Sequence, residues 1–96
     1  MNFSQALEEL RRGSKVARNG WNGKGMFIYL VEGRVVPIEQ LTNEASKQFE
    51  TTKELNRGKR VKINSHIDMK AADGSIVVGW LASQTDILAT DWEVVR

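Results

Sequence analysis

The sequence predicts an α+β fold: an antiparallel sheet of about five or six strands with an N-terminal helix and one or two further short helices. Three observations carry this. A capped run with apolar residues at helical spacing opens the chain, β-branched and aromatic segments alternate with glycine-rich turns, and a second capping pattern precedes a C-terminal strand.

Asn2 with Gln5 three residues on reads as a capping box, and Phe3, Ala6, Leu7 and Leu10 recur at helical spacing until Gly13, which predicts a helix over about residues 4–12. Lys15 to Arg18 alternates as a short strand. Asn19 to Gly25 holds three glycines, two asparagines and Trp21, a turn-rich loop. Met26 to Val31 is strongly β-prone, and Glu32-Gly33 predicts a hairpin into Arg34 to Val36. After Pro37, the positions Ile38, Leu41, Ala45, Phe49 and Leu55 mark an amphipathic helix over about 39–50, fraying into Thr51-Thr52 and ending by Gly58. Lys59 to Met69 reads as one extended strand with a bulge near Asn64-Ser65. Asp73-Gly74 is a favoured hairpin turn into Ile76 to Val78. Ser83 and Asp86 cap a short helix carrying Ile87, Leu88 and Ala89, and Asp91 to Val95 closes the chain as a strand.

A chain of 96 residues is expected to form a single domain, 1–96, with a modest core that association with further copies would enlarge. It has no cysteine, so a disulfide framework, a thiolate metal site and a cysteine nucleophile are excluded. With 41% hydrophobic and 27% charged residues the composition is that of an ordinary globular domain. No apolar run is long enough to span a membrane and the N-terminus does not read as a signal peptide, so a soluble protein of the cytoplasm is expected. Charge is uneven. Residues 37–70 carry Lys47, Lys53, Arg57, Lys59, Arg60, Lys62 and Lys70 against five acids, whereas 71–96 carry Arg96 against Asp73, Asp86, Asp91 and Glu93. The basic segment is short and interleaved with acids, so binding of a nucleic-acid polymer is disfavoured at this level, while a small anion needs fewer cations.

The inventory for catalysis is thin. His66 is the single histidine. Alternation along a strand puts His66 and Asp68 on one face and Ser65 on the other, which favours a structural pair over a triad. Two potential ligands at that spacing fall short of a metal site, and no phosphate-binding glycine motif is complete. The tryptophans say more. Trp92, followed by the alternating Val94, reads as core. Trp21, on a polar loop, is as suited to a ligand or subunit contact as to burial. Trp80 precedes Leu81 to Asp86, where a helix N-terminus, hydroxyl, amide and carboxylate groups would together suit a nucleotide.

At these segments the chain resembles the Thoeris anti-defence 2-like family of small phage and prophage proteins. The resemblance lies in residues 1–7 (Met-Asn-Phe-Ser-Gln-Ala-Leu), Gly20 to Met26, His66 to Lys70, Asp73 to Val77, Trp80 to Asp86 and Asp91-Trp92. It spans nearly the whole chain and is least characteristic over 39–57. It implies a non-enzymatic sponge without a cofactor or metal. Such a protein binds, without cleaving, a cyclic ADP-ribose isomer (glycocyclic ADP-ribose) made by a TIR-domain immune protein in the bacterial cytoplasm. Some relatives also bind cyclic di- or trinucleotides of the CBASS pathway. It further implies a homo-oligomer, a dimer of dimers, with pockets between protomers. Placed on these motifs, residue chemistry assigns adenine stacking to Trp21 or Trp80 and hydrogen bonds to ribose or base to Asn22, Ser83, Gln84 and Asp86. Lys24 and Arg18 are assigned to offset pyrophosphate charge. The alternative is a small nucleic-acid- or protein-binding module acting through residues 53–62.

Overall fold

In the computed structural model, residues 1–49 and 58–96 are described; Thr51, Thr52, Lys53, Leu55 and Arg57 lie outside them. The first helix, α1, spans Phe3–Arg11 and begins as the sequence predicts. The Asn2 side chain accepts from the Gln5 N–H at 2.9 Å, and the Gln5 side chain accepts from the Asn2 N–H at 2.9 Å. Two otherwise orphaned amides are thereby satisfied. Ala6 and Leu10, one turn apart, form the buried face of this helix.

That face lies on a sheet. Strands β1 (Lys15–Arg18), β2 (Phe27–Val31), β3 (Arg34–Pro37), β4 (Arg60–Ile63), β5 (His66–Lys70), β6 (Ile76–Val77) and β7 (Trp92–Val95) are joined by helices α2 (Asn43–Gln48) and α3 (Gln84–Leu88). Among the described residues, five strands pair in the order β6-β5-β2-β1-β7, all antiparallel. Val16 stands opposite Ile28 and Val94, and Ile28 opposite Met69. A row of apolar side chains therefore crosses the sheet on one face. With Ala6, Leu10 and Trp92 it forms the core, against which Phe3, Trp21, Leu30, Ile67 and Trp80 pack. The chain terminus is tied in as well: the Met1 ammonium donates to the Trp92 carbonyl at 2.7 Å, and the Trp92 N–H donates to the Met1 carbonyl at 3.1 Å.

The chain falls into two compact units: Met1–Val31 with His66–Arg96, and Glu32–Ser65. In the second, β3 and β4 form a separate two-stranded antiparallel sheet, with Val36 opposite Val61. Three expectations are corrected here. Residues 26–36 do not form a hairpin: β2 pairs with β1 and β5, and β3 with β4. The strand over 59–69 is two strands belonging to different sheets, because the chain changes partner at Asn64-Ser65. The helix over 39–50 is a 3-10 turn at Ile38–Gln40 followed by α2 at Asn43–Gln48. Leu41 between them is extended, and Ile38 is buried.

Candidate functional site

Three indoles meet at one end of the first unit. Trp92 opens β7 opposite Arg18, the last residue of β1, so the registry of two core strands fixes its place. Its ring lies 5.3 Å from that of Trp21 at 80° and 6.2 Å from that of Trp80 at 82°. Trp21 and Trp80 are 6.3 Å apart at 68°. All three pairs are edge-to-face, the arrangement favoured by the ring quadrupole. Phe3 of α1 adds a fourth ring, 5.4 Å from Trp92.

Asp86 holds the group together. Its Oδ1 accepts from the Trp21 Nε1–H at 3.1 Å and from Arg18 Nη1 at 2.9 Å, while its backbone carbonyl accepts from the Trp92 Nε1–H at 2.9 Å. Through the Ser83–Asp86 capping box the same residue also starts α3: the Ser83 Oγ accepts from the Asp86 N–H at 3.0 Å. Arg18 turns its Nε to Asp91 Oδ1 at 2.9 Å, and Asp91 Oδ2 accepts from the Gly20 N–H at 2.7 Å. The side chains of Arg18 and Asp86 are only 16% and 13% exposed, so this is a largely enclosed Asp-Arg-Asp bridge from β1 to the last helix and strand.

The electrostatics follow from those contacts. The carboxylates of Asp91 and Asp86 raise the Arg18 pKa further above its already high ordinary value. Burial pushes the Asp86 carboxyl up, but hydrogen bonds from Arg18, Trp21 and Ser83 outweigh it and hold the group below the ordinary carboxylate value. For Asp91 the Arg18 hydrogen bond dominates in the same direction. A carboxyl whose folded pKa is depressed contributes stability in full above its unfolded value, about 3.9, and loses it as pH falls through the lower folded value. The melting temperature is therefore expected to be flat from neutral pH down to about 4 and to fall below that. Asp86→Asn should flatten the acid limb; an acid limb identical to that of the parent would exclude Asp86 from it.

The structure brings Arg18, Trp21, Trp80 and Asp86 together by direct contact, with Ser83 joined through the cap. Asn22, Lys24 and Gln84 stand exposed, without a side-chain hydrogen bond or ion pair among the described residues. Trp21, as suited by sequence to contact as to burial, is half-buried against the core with its N–H bonded to Asp86. At the start of α3 the capping box takes up the Ser83 and Asp86 amides. Asp91 is the residue that sequence reasoning gave no role. Its partner lies 73 positions away, and only its adjacency to Trp92 marks it in sequence.

His66 and Asp68 do share a face, with Nε2 and Oδ1 3.6 Å apart, and Asp68 accepts from the Gly79 N–H at 3.0 Å. Ser65 is turned to another task, its Oγ accepting from the Gly33 N–H at 2.9 Å. Among the described residues no group of three or more potential metal ligands gathers, no pocket is enclosed, and no helix is long and apolar enough to cross a membrane.

A model of the Thoeris anti-defense 2-like domain matches residues 1–95 of the chain. A protein of Bacillus phage SP01 described as Thoeris anti-defense 2 is 38% identical over 98 residues, covering 99% of this chain and 94% of its own length.

Proposed function

The chain belongs to the Thoeris anti-defence 2-like family, and on that premise we propose that it is a phage-type anti-defence sponge acting in the cytoplasm of a bacterial host. It binds and holds a cyclic ADP-ribose isomer, glycocyclic ADP-ribose, made by TIR-domain immune proteins, and does not cleave it. Cyclic di- and trinucleotides of CBASS are its secondary ligands. The observation that carries this reading is the braced indole cluster: Trp21 and Trp80, half-buried and fixed through Trp92 and Asp86, stand in one unit with the exposed Asn22, Lys24, Ser83 and Gln84. An aromatic surface ordered before the ligand arrives avoids the cost of freezing side chains on binding. Arg18 is already matched by two carboxylates, so its part is to brace the site, and pyrophosphate charge falls to Lys24.

Binding without turnover is supported by the state of the carboxylates. Asp86 and Asp91 are held ionised by several donors each, and a carboxylate of depressed pKa is a weak general base. Assembly is supported by what the chain leaves uncovered. From Gly74 to Thr85 there is no charged residue, and within this run Leu81 is 89% exposed, Val78 73% and Ile76 59%. Apolar side chains exposed at that density mark an interaction surface. A second copy of the chain, offering the same uncharged segment, is the self-complementary occupant, and the oligomer is read as a dimer of dimers with ligand walls supplied by more than one copy.

The test is capture followed by heat release. Protein incubated with the cyclic ADP-ribose isomer is separated from free ligand and heated, and the supernatant is chromatographed. Recovery of intact ligand is expected; altered ligand would mean catalysis, and no capture would overturn the reading. Trp21→Ala, checked for folding by circular dichroism, should lose about 1–3 kcal/mol of affinity, roughly 5- to 150-fold. Unchanged affinity in the folded variant would remove Trp21 from the site. Light scattering that finds a monomer at every concentration would remove the shared wall.

A further inference from the structure

The loop from Asn19 to Gly25 joins β1 to β2 and carries Trp21, Asn22 and Lys24, three of the side chains assigned above to the ligand. Three of its seven residues are glycines, the residue type that loses most conformational freedom when a chain is ordered. A free loop of this composition would weaken binding, because its ordering would fall on the ligand. It is instead held at both ends by groups outside it. At its start the Asp91 carbonyl accepts from the Asn19 N–H at 3.0 Å, and Asp91 Oδ2 accepts from the Gly20 N–H at 2.7 Å. At its end Lys70 Nζ donates to the Gly25 carbonyl at 3.1 Å, and the chain at Gly23 runs so close to Ala72 that a Cβ there would lie 2.8 Å from the Ala72 Cβ. Between these holds the Asn22 and Lys24 side chains stand exposed.

The carboxylate that grips Gly20 is itself fixed. Asp91 Oδ1 accepts from Arg18 Nε at 2.9 Å, and Arg18 is held a second time through Nη1 by Asp86 at 2.9 Å. Gly20 shows how closely loop and carboxylate fit. Its φ is not positive, so backbone conformation alone does not call for glycine. A Cβ there would lie 2.8 Å from Asp91 Oδ2 and 3.3 Å from Arg18 Nη2. What the position requires is the absence of a side chain between the amide and its acceptor.

We propose, on the sponge reading above, that Asp91 is a positioning residue of the ligand site: it touches no ligand, and by gripping the Gly20 amide it fixes the Asn19–Gly25 loop in the geometry that presents Trp21, Asn22 and Lys24. The two carboxylates on Arg18 have separate tasks. Asp86 braces the indoles, and Asp91 holds the loop. Removing the Asp91 carboxylate leaves the Arg18–Asp86 pair, the Asp86 bond to Trp21 Nε1 and the main-chain bond from Asn19 to Asp91 in place. The effect is therefore confined to the loop, whose backbone the ligand must then order. Re-fixing roughly one residue's backbone on binding weakens affinity about 5- to 30-fold.

The experiment is calorimetric titration of the cyclic ADP-ribose isomer into the full chain and into Asp91→Ala, Gly20→Ala and the double variant, at a temperature where circular dichroism shows each fully folded. Both single variants should bind about 5- to 30-fold more weakly than the parent, one by removing the acceptor and the other by wedging a methyl group against it. The double variant should be no weaker than the weaker single variant, because both changes act on one contact. A purely structural role for Asp91 would lower stability and leave the affinity of the folded protein unchanged. Amide spectra supply a readout that needs no ligand: Asp91→Ala should shift the Gly20 and Trp21 amides and speed their exchange, leaving the amides of β2 and β5 in place. Equal affinity of parent and Asp91→Ala would overturn the positioning role and leave the sponge reading intact. So would losses that multiply in the double variant, or a Gly20 amide unmoved by Asp91→Ala. No binding by the parent would overturn the sponge reading and this role with it.

Discussion

Trp92→Ala is expected to lower folding stability by about 3–5 kcal/mol, the range for truncating a buried large aromatic. Trp92 is the largest fully buried side chain among the described residues and sits where four segments meet: Phe3 of α1, Trp21 of the β1–β2 loop, Trp80 of the β6–α3 connection, and α3 through the bond from Nε1 to the Asp86 carbonyl. Truncation removes the three ring contacts of Trp92 and leaves the Asp86 carbonyl with the 3.4 Å bond from the Ala89 N–H. For a chain of this size the loss corresponds to a fall in melting temperature on the order of 20 °C. Trp92→Phe separates the two contributions, keeping a ring but not the donor, and the lost hydrogen bond alone is worth about 1 kcal/mol. Thermal and denaturant melts of both variants provide the measurement. If Trp92→Ala melts within a few degrees of the parent, the cluster is not held from this residue, and the preorganisation attributed to Trp21 and Trp80 loses its basis.

The parts of this arrangement differ in how legible they are in sequence, and the difference is one of range. The capping boxes of Asn2/Gln5 and Ser83/Asp86 are written within three residues, and both form. The Asp73-Gly74 turn and the strands Lys15–Arg18 and Phe27–Val31 are set by local turn chemistry and side-chain type, and they too form. Strand partnership is not local. Val61, Ile63, Ile67 and Met69 keep one parity across Asn64-Ser65, so alternation reads as a single strand although the chain leaves β3 and joins β2 at that point. The site fails to be legible for the same reason. Arg18, Trp21, Asp86 and Asp91 are polar or aromatic residues that each have an ordinary local explanation. What makes them a unit is pairing across 65 to 73 positions. The resemblance of several motifs marks the right segments, but the conversion of Arg18 from a free cation to a brace needs the geometry.

Gly33→Ala should be the most damaging single-methyl change in the second unit. In sequence Gly33 looks like an ordinary turn glycine, yet its constraint is close approach of backbone. A Cβ there would press on the Ile63 carbonyl oxygen and lie 2.6 Å from the Ser65 nitrogen and 2.8 Å from the Asn64 carbonyl carbon. All three are main-chain atoms of the segment where β4 gives way to β5, and the Gly33 N–H is itself bonded to the Ser65 Oγ, so no flexible side chain can yield. Overpacking usually costs about 1–3 kcal/mol, and a clash confined to backbone belongs at or above the top of that range. Reduced freedom of the unfolded chain returns only about 0.4–1 kcal/mol. Gly74→Ala is the informative contrast. Its φ is +90° but nothing lies within 4 Å of the added methyl, so it carries the left-handed penalty of about 1–2 kcal/mol and no clash. Melting temperatures should therefore order as parent, Gly74→Ala, then Gly33→Ala. Hydrogen exchange should accelerate in β3 and β4 for Gly33→Ala alone, because those strands face each other across the displaced segment. Equal melting of the two variants, with exchange in Arg34–Pro37 and Arg60–Ile63 unchanged, would show that the approach at Gly33 relaxes without cost and that the β3–β4 sheet does not depend on it.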